Sequence, residues 1–180
     1  MYGGKSTALV QKMERYTYAK KKIAFIRPKR DNRGYITHNG ISTIENKFKD
    51  LCKVYEIKSF DQKFVEEVSD NFEAVFIDEY FMIENCDLMC KYISKREHFD
   101  IYFAGLLSTS ENTLFPEAIK ILPYCDEILK LEGVCTRCGS QHGNYSMYTK
   151  GSKTDLIVVG DEDKYECVCR KCYKANVGKL

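Results

Sequence analysis

Met1-Tyr2-Gly3-Gly4-Lys5-Ser6-Thr7, running without a break into ALVQKMERY (residues 8–16), decides how the rest of the chain reads. Gly4-Lys5-Ser6 is the closing half of the phosphate-binding pattern G-x-x-x-x-G-K-[ST], whose opening glycine would stand two positions before Met1. A phosphate needs backbone N–H groups converging at a helix N-terminus, glycines that let the chain turn tightly, and a lysine. Leu9, Val10, Met13 and Tyr16 recur at helical spacing, so the glycine turn leads directly into an amphipathic helix. That helix is expected to end near Lys20, where Lys20, Lys21 and Lys22 supply the positive charge a C-terminus favours. Lys5 would then reach the β- and γ-phosphates and Ser6 would hold Mg2+, with Gly4 and Thr7 in the same turn. The competing reading is a flexible start followed by a helix cap.

Working outward, Ile23-Ala24-Phe25-Ile26-Arg27-Pro28 is a short apolar run closed by proline and reads as a buried strand. Residues 30–40, RDNRGYITHNG, are polar and turn-rich, hence a loop. Lys53–Ile57 reads as a second strand, and residues 61–70 as a short helix with Asp61 as N-cap. A third strand, residues 73–79, ends in the carboxylates Asp78 and Glu79. A helix over residues 82–96, a fourth strand over 100–106, a loop, a short helix and a strand-like EILKLEGV (127–134) complete this part. Strands alternating with helices imply parallel pairing and a layered α/β core. An acidic residue at the carboxyl end of a buried strand beside a phosphate loop organises Mg2+ or activates a nucleophile. A carboxylate pair closing a strand can also be a solvated turn.

With 180 residues, 44% hydrophobic and 30% charged, the chain has material for one domain and a small appendage. Its net charge of +2 forces neither a nucleic-acid nor a membrane partner. No apolar run approaches the roughly 20 residues of a membrane span, and the start lacks the apolar stretch of a secretory signal. Nine cysteines is an odd number, several of them in C-x-x-C pairs, which points to a reducing compartment and metal ligation. A cytoplasmic location follows as the expectation.

After Val134 the texture changes to cysteine pairs, glycines and alternating stretches such as TDLIVVG (154–160), indicating a small β-rich lobe. Cys135-x-x-Cys138 and Cys169-x-x-Cys172 are two knuckles that together supply four thiolates, the ligand set of a closed, structural Zn2+ site. Two disulfides or inert thiols are the weaker readings, and four sulfurs leave no open position for catalytic zinc. Cys52, Cys86, Cys90, Cys125 and Cys167 read as small core residues. The expected organisation is a P-loop, RecA-like α/β domain over residues 1–133, with a mostly parallel sheet flanked by helices on both faces, and a zinc-ribbon substrate lobe over 134–180.

A partial P-loop, an Ile-Asp-Glu strand end and a ribbon whose second pair lies in VCRKCY, in this order in one short chain, resemble the compact, zinc-containing thymidine kinases of vertebrate cytosol, bacteria and large DNA viruses. Met1 to Thr7 is similar to that family's G-P-M-[FY]-[SG]-G-K-[ST]-T from its third position, so the leading strand and the first P-loop residues are missing from this stretch and an upstream start is expected. Asp31, Arg33 and Thr37–Gly40 resemble its D-x-R…[TS]-H-[DN] loop, and Asp78-Glu79 falls on its D-E-[GA]-Q. Phe115-Pro116 lies in the loop termed the lasso, and Asp163-Lys164-Tyr165 precedes the last cysteine pair as in the family.

The resemblance implies transfer of the γ-phosphoryl group of ATP to the 5′-hydroxyl of thymidine. In that scheme Glu79 is the general base, Lys5 and Ser6 serve the phosphates and Mg2+, Asp78 or Asp31 supports the metal, and Arg33 steadies the transferring group. Met1, Met82, Leu106, Phe115, Leu156, Val158, Gly160 and Tyr165 match thymidine-contact positions, and a dimer or tetramer is implied. Two departures bear on the base: Met82 and Ser110 stand where the family has aromatics, so weaker stacking is expected to lower affinity or to shift base preference, deoxyuridine or an analogue being the other candidate substrate. A crippled, non-catalytic relative is the first alternative. A zinc-ribbon nucleic-acid binder using Arg170, Lys171 and Lys174 is the second, and Glu162, Asp163 and Glu166 argue against it.

Overall fold

A computed structural model of the chain describes residues 3–29, 35–36, 39–93, 98–149 and 164–177. The chain forms two compact units: Lys5–Leu107 with Pro116–Cys125, and Met1–Gly4 with Ser108–Phe115 and Asp126–Leu180.

In the larger unit, α1 (Lys5–Tyr18) buries Leu9 and Met13, one turn apart. It ends at Lys20, whose φ of 57° is left-handed. The Lys20 N–H then donates to Thr17 O and the Lys21 N–H to Tyr16 O, at 2.9 and 3.0 Å, the paired bonds that close a helix end. β1 (Ile23–Pro28) is buried along its whole length. A two-rung antiparallel pair, β2 (Tyr35–Ile36) and β3 (Asn39–Gly40), stands inside the stretch expected to be loop. α2 (Ile41–Phe48) follows, then β4 (Cys52–Ile57), α3 (Gln62–Asn71), β5 (Ala74–Ile77), α4 (Asp87–Ile93), β6 (Asp100–Phe103) and α5 (Pro116–Ile121). Asp61 caps α3 as expected, its carboxylate accepting the Phe64 N–H at 2.8 Å.

The four long strands form a parallel sheet in the order β4-β1-β5-β6. Strand alternation sends Ile23, Phe25, Ala74 and Phe76 to one face, where they pack with Leu9 and Met13 of α1 and Ile44 and Phe48 of α2. Ala24, Ile26, Val75 and Ile77 point to the other face and are fully buried. That face lies under α3, α4 and α5, which carry buried Val65, Val68, Met89, Ala118 and Ile121. Helices on both faces of a parallel sheet agree with the expected α/β class.

Three expectations need correction. The helix expected from Met82 begins only at Asp87: Tyr80–Met82 is a single 3-10 turn, Ile83 is extended, Glu84 bridges Ser59, and Asn85 has a φ of 61°. Residues 127–134 form no strand. Gly133 alone pairs, with Gly143, while Ile128 and Leu129 are 62% and 69% exposed. A strand needs a neighbour to satisfy its ladder groups, and an apolar run without one stays irregular. Cys125 is half-buried rather than a core residue, unlike Cys52, Cys86, Cys90 and Cys167.

In the smaller unit, β7 (Tyr145–Tyr148) pairs antiparallel with β8 (Tyr165–Val168), and α6 (Arg170–Val177) follows. Its buried cluster is Cys135, Met147, Val168 and Cys169, flanked by Tyr145, Cys172 and Tyr173. Segment 154–160, expected as strand, lies outside the described residues. Among the described residues no helix is long and apolar enough to cross a membrane.

Candidate active site and metal centre

The strand order reverses between β1 and β5: the chain leaves β1 for β4 on one side and returns to β5 on the other. In open α/β sheets the crevice outside the carboxyl ends of such a strand pair is where ligands bind. Asp78 and Glu79 follow the last residue of β5 directly at this point, and the Asp78 N–H continues the ladder by donating to Ile26 O at 2.9 Å. Asp78 is only 6% exposed. The hydroxyl of Ser6, in the first turn of α1, donates to Asp78 Oδ2 over a long 3.5 Å. The N-terminus of α1, with its unpaired N–H groups, therefore lies against the tip of β5.

Gly4, immediately before α1, has a φ of 69°. A Cβ there would meet nothing within 4 Å, so the backbone conformation, not space, calls for glycine. Lys5 and Ser6 are half-buried and Thr7 is exposed. Glu79 is left-handed as well, at φ 49° and ψ 42°, although it has a full side chain. Such a conformation costs on the order of 1–3 kcal/mol and persists where its surroundings over-determine it. Here the Glu79 N–H donates to Asp78 Oδ1 at 3.1 Å, and the next residue, Tyr80, is buried and donates through its hydroxyl to Leu106 O at 3.0 Å. Burial pushes the Tyr80 phenol well above its ordinary value, so it stays a donor. A Cβ on Gly105 would come within 2.8 Å of the Tyr80 ring, so this tyrosine and that glycine require each other.

Met82 and Leu106, two of the expected thymidine contacts, are half-buried in this same unit. Phe115, 5% exposed, and Tyr165, half-buried on β8 with its ring 5.3 Å from that of Tyr148, belong to the smaller unit. Met1, Asp31, Arg33, Leu156, Val158 and Gly160 lie outside the described residues. One residue at the crevice escaped the sequence reading. Arg27 ends β1 nearly, is 2% exposed, and occupies the row after the Ile26–Ile77 pair, on the face that Asp78 shares. Its Nε lies 3.6 Å from Glu56 Oε1 on β4. The available signal was a lone cation in an otherwise apolar strand.

The four cysteines of the two C-x-x-C pairs converge, with all Sγ atoms within 4.8 Å of one another and those of Cys138 and Cys169 3.7 Å apart. Four sulfurs about 2.3 Å from a tetrahedral Zn2+ stand about 3.8 Å from each other, so the donor set and its spacing fit zinc. The first pair sits on a tight turn in which Gly139 N–H donates to Cys135 O at 2.9 Å and Cys135 N–H to Ser140 O at 2.7 Å. The second pair sits at a helix start: Cys169 immediately precedes α6 and Cys172 lies in its first turn. The Cys172 N–H holds the Cys169 thiol below its ordinary range. Contact with Cys138 pushes the Cys172 thiol up to about 12, so this one thiol keeps its proton unless a cation replaces it.

The family profile described as TK: Thymidine kinase matches residues 1–173. The chain is 30% identical to the thymidine kinase of rabbit fibroma virus, over 96% of this chain and 91% of the viral protein. It is 32% identical to that of Choristoneura fumiferana entomopoxvirus, over 98% and 93%, and 29% identical to that of vaccinia virus strain Western Reserve, over 96% and 92%. With a match that runs from the glycine turn to the last cysteine pair, the chain belongs to the thymidine kinase family.

Proposed function

We propose that this enzyme transfers the γ-phosphoryl group of ATP to the 5′-hydroxyl of thymidine, yielding dTMP and ADP. The observation that carries the reading is the meeting of Ser6 with Asp78, with Glu79 held next to them in a left-handed turn at the β1/β5 crevice. The triphosphate lies at the N-terminus of α1, where backbone N–H groups and Lys5 offset its charge. Mg2+ would be held there by Ser6 and Asp78, with Asp31 and Arg33 assigned nearby by family resemblance, and would supply charge neutralisation to the phosphates. Glu79 accepts the 5′-hydroxyl proton as that oxygen bonds to the γ-phosphorus, and the bond to the β-bridging oxygen breaks to release ADP.

Met82, Leu106, Phe115 and Tyr165 are proposed to line the thymine pocket with Met1, Leu156, Val158 and Gly160. Zn2+ on Cys135, Cys138, Cys169 and Cys172 has a structural role, since four thiolates close its coordination. Assembly as a dimer or tetramer in the cytoplasm is proposed on the same family resemblance. The test is turnover of thymidine by the purified protein with Mg-ATP. Glu79→Gln should lower kcat about 10²- to 10⁴-fold, the range of a lost general base, with nucleotide affinity unchanged. A protein that binds both substrates yet gives no dTMP would overturn the catalytic reading.

A further inference from the structure

The cysteine cluster and the 108–115 loop are physically joined inside the smaller unit. Tyr173 follows the ligand Cys172 directly in α6, and its N–H donates to Cys169 O at 2.9 Å, so its backbone is set by the second knuckle. Its ring lies flat on that of Tyr145 in β7, with centroids 4.6 Å apart and planes 17° from parallel. A phenol held on one face has little freedom in where its hydroxyl points. That hydroxyl accepts the Asn112 Nδ2–H at 2.6 Å.

Asn112 is the tip of a loop that is stiff in its own right. Ser108 bridges Leu114, and Thr109 N–H donates to Thr113 O at 2.8 Å. The Thr109 and Thr113 hydroxyls are 2.9 Å apart, and Thr109 Oγ1 also accepts the Glu111 N–H. Asn112 itself has a φ of 59°, a conformation asparagine tolerates better than most residues. A loop closed this tightly moves as a body, so fixing its tip fixes Phe115 three residues further on.

We propose that Tyr173 is a positioning residue: it ties the 108–115 loop to the four-cysteine cluster, so that the cluster sets thymidine affinity through the Tyr173–Asn112 hydrogen bond. This rests on the reading that Phe115 lines the thymine pocket. It assigns to Tyr173 and Asn112 a part in substrate binding that neither would have by contact with substrate.

The test uses the full chain loaded with zinc. Tyr173→Phe removes only the hydroxyl and keeps the ring on Tyr145, while Asn112→Ala removes the other partner. Each should raise the thymidine KM, and the thymidine Kd by calorimetry, about two- to tenfold, the fold-change of one net hydrogen bond. Bound zinc, kcat and the KM for Mg-ATP should stay at wild-type values. The double variant should be no worse than either single one, because the two share a single interaction. Asn112→Asp, which can accept the tyrosine O–H, should restore wild-type affinity. Amide exchange at Thr109, whose N–H is bonded within the loop, should quicken in Tyr173→Phe. If the wild-type protein fails to bind thymidine, the functional reading falls, and exchange at Thr109 alone then decides the tie. Unchanged exchange in Tyr173→Phe, or thymidine affinity lost only together with zinc, would overturn the proposal.

Discussion

Beneath α1 and α2, Phe25 and Phe76 are wholly removed from solvent within a cluster that also buries Leu9, Met13, Ile23, Ile44 and Phe48. Around the cysteine cluster the buried set is Cys135, Met147, Val168 and Cys169, and two of these four are the candidate ligands themselves. The first region is ordered by apolar burial, of about 1.5–3 kcal/mol per large side chain, spread over many residues. The second buries few apolar side chains, and under the proposed zinc reading it depends on a few strong bonds to a cation. The difference separates their vulnerabilities: the α/β unit should fail gradually with lost packing, the smaller unit at once with lost metal.

Metal extraction should therefore have the largest effect. Structural zinc contributes about 10–16 kcal/mol of apparent binding free energy in zinc-finger peptides, so a chelator, or Cys138→Ser at the exposed ligand, should unfold β7, β8 and α6. Amide exchange read segment by segment would show this, with residues 74–77 still protected. Continued protection of 145–148 and 165–168 without metal would break the comparison. Next comes Phe76→Ala. Phe76 stacks on Tyr102 with centroids 4.8 Å apart and takes the edge of Tyr16 at 5.5 Å. Thermal unfolding should show a loss of about 3–5 kcal/mol with zinc content unchanged, whereas zinc lost in parallel would mean that the two regions share their stability. The smallest effect is expected of Asp61→Ala, which removes the α3 cap and should cost about 1 kcal/mol in a urea titration.

What the chain discloses by itself follows the same division. β1 and β5 were legible because a strand buried on both faces reads as an unbroken apolar run, and α3 because Asp61 announces it. α2 went unassigned although Ile41, Ile44 and Phe48 stand at helical spacing, since the polar stretch before it drew the reading toward loop. The start of α4 was placed five residues early because Asn85 can turn left-handed and nothing in its neighbours signals it. α6 is polar on most sides and its position follows from Cys169 and Cys172, so periodicity had nothing to find. Ile128 and Leu129 show the reverse error, strand-like residues whose exposure depends on partners that no local pattern encodes. In the candidate site, Lys5, Ser6, Asp78 and the four cysteines were legible as motifs, whereas Arg27 and the Tyr173–Asn112 bond exist only through long-range contact.

The left-handed backbone at Glu79 has an evolutionary corollary. Glycine, or asparagine, would sit in that turn with less strain, so heat-resistance screens on this protein would tend to drift toward such replacements and discard the carboxylate. With Glu79 as the proposed general base, an intact glutamate among descendants of this sequence would record selection on turnover rather than on folding.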